Sequence, residues 1–210
     1  MNTLTTAPLA PLLSRLFVDA AASTAKMRQE LVGVPRDDYR AFYSRAKEYH
    51  LAVSPQTGTL LYMLARSSGA RSMVEFGTSF GISTLHMAAA LKDNGGGRLI
   101  STEFEPSKIA HARSNLRAAN LDGLVEIREG DALETLARDL QPIDLVLLDG
   151  AKALYPKVLD LIEPHLRVGA MIVADNADWC PEYLARVRDR ANGYLSVPFA
   201  GDVELTMRTA

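Results

Sequence analysis

The chain has one cysteine, Cys180, among 210 residues. No internal disulfide can form, and a reducing cytoplasm is the expected compartment. No apolar stretch is long and uninterrupted enough to span a bilayer. The opening segment, Met1 to Phe17, lacks the basic start and continuous apolar core of a signal peptide. There is no block of like charges either. Lys and Arg number 23 against 25 Asp and Glu, for a net charge of −2, which gives no electrostatic reason to expect nucleic acid or a membrane surface as partner. Internal repeats and low-complexity tracts are absent. What remains is an ordinary globular composition, 48% apolar and 23% charged, at a length suited to one full core.

The chain divides by periodicity. Residues 1 to about 10, with one proline and three threonines, are expected to lie loose on the surface. Helical spacing follows from Leu12 to about Leu31 and from Asp37 to Tyr49. Ser54-Pro55 then reads as an N-cap and first turn of a helix reaching about Ser68. Together, residues 1–50 form a helical cap on a core at 51–210. In that core short apolar runs alternate with helices. Strands are expected at Ser72–Phe76, Arg98–Glu103, Val125–Glu129, Ile143–Asp149, Ala170–Ala174, Tyr194–Pro198 and Val203–Arg208. Helices are expected at Ile82–Leu91, Pro106–Ala119, Leu133–Asp139, Tyr155–His165 and Glu182–Arg190. Such alternation predicts a doubly wound, Rossmann-like α/β sheet. Only a turn around Gly201-Asp202 joins the last two strands, so a hairpin should place one antiparallel strand at the sheet's end.

In open α/β sheets ligands bind beyond the carboxyl ends of the strands. The first strand ends Glu75-Phe76-Gly77-Thr78-Ser79-Phe80-Gly81-Ile82-Ser83-Thr84. Gly77 and Gly81 permit a sharp turn, and Ser83 and Thr84 begin the next helix, where an anion is favoured. Glu103 ends the second strand 26 residues after Gly77, in position to accept from both hydroxyls of a ribose. The spacing is not G-x-G-x-x-G, and Glu75 would repel a pyrophosphate but suit an ammonium group. A ligand carrying ribose, amine and carboxylate, such as S-adenosylmethionine, fits better than a nicotinamide dinucleotide. Asp131 offers an acceptor for an adenine amino group.

The fourth and fifth strands end in Asp149 and in Asp175-Asn176. Two carboxylates and an amide oxygen are hard ligands, suited to Mg²⁺, Ca²⁺ or Mn²⁺. Lys152 lies three residues past Asp149, and a cation beside it should lower its pKa toward that of a base. The four histidines, Cys180 and the Arg186, Arg188 and Arg190 series read as packing or solvated surface.

These motifs resemble the cation-dependent S-adenosylmethionine O-methyltransferases, the family of the catechol and caffeoyl-coenzyme A enzymes. The resemblance spans about residues 50 to 208. It rests on Val-Ser-Pro, Val-Glu-Phe-Gly-Thr-Ser-Phe-Gly-Ile-Ser-Thr, Thr-Glu, Glu-Gly-Asp-Ala, Leu-Leu-Asp-Gly-Ala-Lys and Val-Ala-Asp-Asn, in that order. It implies cofactor contacts from Val53, Glu75, Gly77, Thr78, Ser83, Glu103, Asp131 and Ala132. It implies a metal held by Asp149, Asp175 and Asn176, with Lys152 as base. It also implies strand order 3-2-1-4-5-7-6 with the last strand antiparallel, a small hydroxylated acceptor, catechol-like or phenolic, and a homodimer. Gly150 and Ala151 depart from the bulkier residues common there and are expected to widen the acceptor side. A nicotinamide-dependent oxidoreductase and a non-catalytic cofactor-binding module remain as alternatives.

Overall fold

The computed structural model describes residues 2–31, 34 and 39–210. Its helices are α1 (Leu9–Glu30), α2 (Tyr39–Arg45), α3 (Pro55–Ser68), α4 (Ile82–Asp93), α5 (Pro106–Ala118), α6 (Ala132–Thr135), α7 (Tyr155–Ile162) and α8 (Pro181–Arg188). Its strands are β1 (Ser72–Phe76), β2 (Arg98–Glu103), β3 (Val125–Glu129), β4 (Ile143–Leu148), β5 (Leu166–Ala174), β6 (Tyr194–Phe199) and β7 (Val203–Arg208).

The seven strands form one sheet in the order β3-β2-β1-β4-β5-β7-β6. The first five in this row run parallel; β7 is antiparallel to both β5 and β6. The antiparallel strand therefore sits one place in from the edge, and β6 takes the edge itself. Alternating side chains of β1 feed two cores. Met73 packs with α1, α3 and α4, while Val74 and Phe76 face α7 and α8.

The N-terminal segment is docked rather than loose. Thr3 donates its N–H (2.9 Å) and its hydroxyl (2.5 Å) to Asp93, which also accepts from Tyr62. Leu9 is fully buried and opens the apolar stripe Leu9, Leu12, Leu13, Leu16, Ala20 on α1. Of the second expected helix, Asp37 and Asp38 lie outside the described residues, and α2 stops at Arg45.

Ser54 caps α3 by accepting from Thr57 N–H at 3.0 Å, and left-handed Gly69 closes it. Helix α6 ends four residues earlier than expected because the Arg128 guanidinium captures the carbonyls of Thr135 (2.6 Å) and Arg138 (2.7 Å). Those acceptors are turned away from further helical pairing. On α8, Arg186 and Arg188 are not simply solvated: Arg186 pairs with Asp160 and Glu163, and Arg188 grips Glu204 through two hydrogen bonds.

Candidate active site

Strand register brings the site together. Phe76 is level with Thr102 on one side and Leu148 on the other, and Leu148 is level with Ala174. The next residue on each strand is therefore Glu103, Gly77, Asp149 and Asp175, in one row at the carboxyl edge. Winding reverses between β1 and β4, where a crevice is expected. Asp149 N–H donates to Phe76 O at 2.8 Å, and Asp175 N–H to Leu148 O at 2.9 Å, so the tips are fixed to one another. The buried Tyr155 hydroxyl lies 2.7 Å from Leu148 O and 2.8 Å from Asp175 O, bracing the same junction.

Gly77 has φ +102°, and a Cβ there would meet the Asp149 backbone at 2.8 Å. Only glycine permits that approach. The Gly77 and Thr78 N–H groups both donate to Thr102 O, and the Thr78 hydroxyl shares a hydrogen bond with Ser101. This loop is thus tied to β2.

Two cavities open on the row of strand tips. One, of about 410 Å³, is lined by Gly77, Glu103, Asp131, Ala132 and Lys108, and covered by Tyr39, Arg40 and Tyr43 of α2. The second, of about 770 Å³, is lined by Met27, Arg28, Phe42, His50 and Trp179, with Lys152, Asp175, Asn176 and Asp202 at one end. Asp149, Ala151, Tyr43 and Leu51 line both, so the cavities meet at Asp149. Both sizes fall in the range of small-molecule sites.

The residues expected around the cofactor separate into two groups. Gly77, Glu103, Asp131 and Ala132 face the first cavity. Glu103 is held there by three main-chain donors: Ser79 N–H (2.8 Å) on one oxygen, Phe104 N–H (2.9 Å) and Glu105 N–H (3.1 Å) on the other. Asp131 caps α6 through Leu133 N–H and accepts from Arg40 at 2.6 Å. Val53, Glu75, Thr78 and Ser83 are buried and line neither cavity. Glu75 takes hydrogen bonds from Ser83 (2.5 Å), Thr84 (2.6 Å) and Ser101 (2.5 Å). Burial pushes its pKa up to about 7, against the pull of those hydroxyls. The hydroxyls expected to face an anion at the start of α4 are thus turned inward onto Glu75.

The three oxygen-bearing residues, Asp149, Asp175 and Asn176, all line the second cavity. The Asp149 and Asp175 carboxyls lie close enough to perturb one another's ionisation. Asn176, in the left-handed region, donates its amide nitrogen to Asp202 at 3.0 Å. Among the described residues no three His, Cys, Asp or Glu side chains come within joint ligating reach, so the set is two carboxylates and an amide. Burial and then the Asp149 charge raise Asp175 to about 8, and burial raises Asp149 as well. Lys152 supplies a single positive charge against this pair, which leaves the oxygen cluster short of compensation. An oxygen-only donor set with that deficit fits a hard divalent cation.

The fall expected for the Lys152 pKa is conditional on a cation beside it; the protein's own groups push the other way. The Lys152 ammonium donates to Asp149 at 2.8 Å. Burial opposes the charge, but the Asp149 carboxylate outweighs burial and holds Lys152 well above its ordinary range. The expected fall rests on repulsion between the ammonium and a neighbouring cation; Asp149 alone keeps the proton on. Gly150 does call for a correction. A Cβ there would lie 2.4 Å from the Phe76 ring, so its small size serves packing against β1 rather than a wider acceptor pocket. Ala151 lines both cavities, at their boundary.

Sequence reasoning missed Arg40, Tyr43, His50, Lys108 and Asp202. No local motif marks them; they come from the cap, from α5 and from the β6–β7 turn, and only the tertiary fold brings them to the strand tips. His50 carried one usable signal, its place just ahead of Val53-Ser54-Pro55. Its ring stacks on Phe80 with centroids 3.9 Å apart.

Residues 74–177 match a family model described as a methyltransferase domain. A catechol O-methyltransferase of Niastella koreensis is 37% identical over 130 residues, covering 60% of this chain and 58% of that protein. One from Mycobacterium tuberculosis is 36% identical over 127 residues, covering 60% and 57%. The chain thus spans less than two thirds of the length of these curated relatives. Among solved structures, the O-methyltransferase TomG of Streptomyces achromogenes, in complex with S-adenosylmethionine, superposes with a TM-score of 0.69 at 27% identity, covering 92% of this chain and 98% of that one.

Proposed function

Because the chain belongs to the methyltransferase family of these relatives, we propose that it transfers a methyl group from S-adenosylmethionine to a hydroxyl of a small phenolic or catechol-like acceptor, with help from a divalent cation. The observation that carries the reading is the junction at Asp149. Asp149 lines both cavities, accepts from Lys152 and shares the second cavity with Asp175 and Asn176, so a donor in one cavity and an acceptor in the other would meet over these oxygens. The methyl-donor end of the reading rests on Glu103, preset by three main-chain N–H groups to accept from a ribose diol, and on the relatives described above. Nothing favours a nicotinamide dinucleotide.

Asp149, Asp175 and Asn176 would hold the cation. When bound, a divalent cation lowers the pKa of an acceptor hydroxyl and orients it. With a cation bound beside it, Lys152, 2.8 Å from Asp149, would release its own proton to solvent and, as the neutral amine, be placed to receive the hydroxyl proton. Tyr155 keeps β4 and β5 at fixed separation, so the two carboxyl groups cannot drift apart. The aromatic walls of the second cavity, Phe42, Tyr43 and Trp179, suit a flat acceptor and exclude water from the transfer. Orientation of this kind supplies much of a bimolecular rate gain.

The test pairs binding with turnover. Calorimetric titration should show S-adenosylmethionine binding and no NAD binding. Vicinal-diol phenols should be methylated with Mg²⁺, with products identified by mass, and turnover should stop in EDTA or in Asp149→Ala while donor binding survives. Full turnover without metal would remove the cation from the mechanism, and failure to bind the donor would end the reading. Sedimentation velocity reads the homodimer that the resemblance implies.

A further inference from the structure

Lys108 stands on the first turn of α5 and lines the first cavity, yet it is only 3% exposed. Among the described residues its ammonium makes no hydrogen bond and no ion pair. Burying an unpaired charge is costly, and burial holds this amine below its ordinary pKa despite the more distant charges of Glu103, Glu105 and Asp149. The ammonium is not sealed in the core: it opens on the cavity that Lys108 lines.

The cavity contains one other cationic side chain, Arg40, which is largely exposed and committed to Asp131. The remaining charged lining is acidic: Glu103, Glu105, Asp131, Glu134 and Asp149. That balance suits the sulfonium and ammonium of S-adenosylmethionine. It leaves the molecule's carboxylate with a single uncommitted cationic partner. Lys108 lines the first cavity and not the second, so the acceptor is not its ligand. Its position five residues beyond ribose-facing Glu103 puts it on the donor's side of the site.

We propose that Lys108 is a binding residue for the carboxylate at the methionyl end of S-adenosylmethionine. The proposal rests on the methyl-donor reading above. A charge-assisted hydrogen bond formed in a dry cavity separates ligands that have the carboxylate from those that lack it.

The experiment compares S-adenosylmethionine with its decarboxylated form, which retains sulfonium, ammonium and nucleoside. Affinities of both are measured by calorimetry for the wild type and Lys108→Met. The expected result is a loss of about tenfold or more for S-adenosylmethionine in Lys108→Met, with less than a twofold change for the decarboxylated ligand. The methionine variant should also melt no lower than the wild type, since it removes an unpaired buried charge. Equal losses for both ligands, or a lowered melting temperature, would make Lys108 structural and overturn the proposal. Wild-type protein that binds neither ligand would instead overturn the methyl-donor reading, and the proposal with it.

Discussion

Replacing Glu75 with glutamine isolates the buried tie beneath the cofactor loop. The carboxylate is wholly buried and accepts from Ser83, Thr84 and Ser101. It fastens β1 to the start of α4 and to β2. Burial raises its pKa from 4.5 to about 7; the three hydroxyls pull the other way, and Asp149 adds a small upward push. The folded state therefore favours the protonated form. Below pH 4.5 the group is neutral in both folded and unfolded chains, and its ionisation costs the fold nothing. Above pH 7 it is ionised in both, and the fold bears the full penalty. At about 1.4 kcal/mol per pH unit, that penalty grows to about 3 kcal/mol between pH 4.5 and 7.5. Glutamine cannot ionise, although it loses one acceptor oxygen, a fixed cost of about 1 kcal/mol. Urea unfolding of both proteins at pH 4.5 and 7.5 reads the difference, in which titrations common to both cancel. The stability of Glu75→Gln relative to wild type should improve by about 3 kcal/mol as pH rises. A difference that stays flat, or that moves against the variant at high pH, would show that the carboxylate is not desolvated and would refute the reasoning.

Gly150→Ala drives a methyl into the Phe76 ring, 2.4–2.6 Å from its ring carbons. It should cost about 2 kcal/mol by urea unfolding, and an unchanged midpoint would refute the close packing. Arg188→Ala removes both hydrogen bonds to Glu204, which is 2% exposed. Since Arg188 itself is half exposed, a loss of about 1–2 kcal/mol at pH 7 is expected. The Arg188 pairing holds Glu204 below its ordinary pKa. This contribution is present above the unfolded glutamate pKa and fades as pH falls through the lower folded value, so the same pair compared at pH 3 should differ less.

Most of the sheet was legible because buried parallel strands read as short apolar runs with helices between them, a local signal. Ser72–Phe76, Arg98–Glu103, Val125–Glu129 and Val203–Arg208 coincide with β1, β2, β3 and β7. What local reading could not supply was competition from distant side chains. Nothing near Leu133–Asp139 announces that Arg128 will take the helix's carbonyls. Nothing in Thr3-Leu4-Thr5 announces Asp93, 90 residues away in sequence. The start of β5 was likewise hidden, since Leu166 pairs with Ile143 across an irregularity before Leu145.

The site divides along the same physical line. Strand-tip residues were readable because register alone aligns Glu103, Gly77, Asp149 and Asp175. Orientation was not. β1 alternates, so Glu75 points onto α4 and accepts from Ser83 and Thr84 there, while Phe76 faces the other layer. Charge states were not readable either, because they depend on which groups share a low-dielectric space. Lys152 three residues after Asp149 looks like a base beside a cation, yet in the protein's own field it is an ammonium held by a carboxylate. Lys108, with no motif to recommend it, is the buried amine without a partner. Chemistry at this strand edge thus follows from how each charge is compensated, and sequence spacing reports only which charges are near.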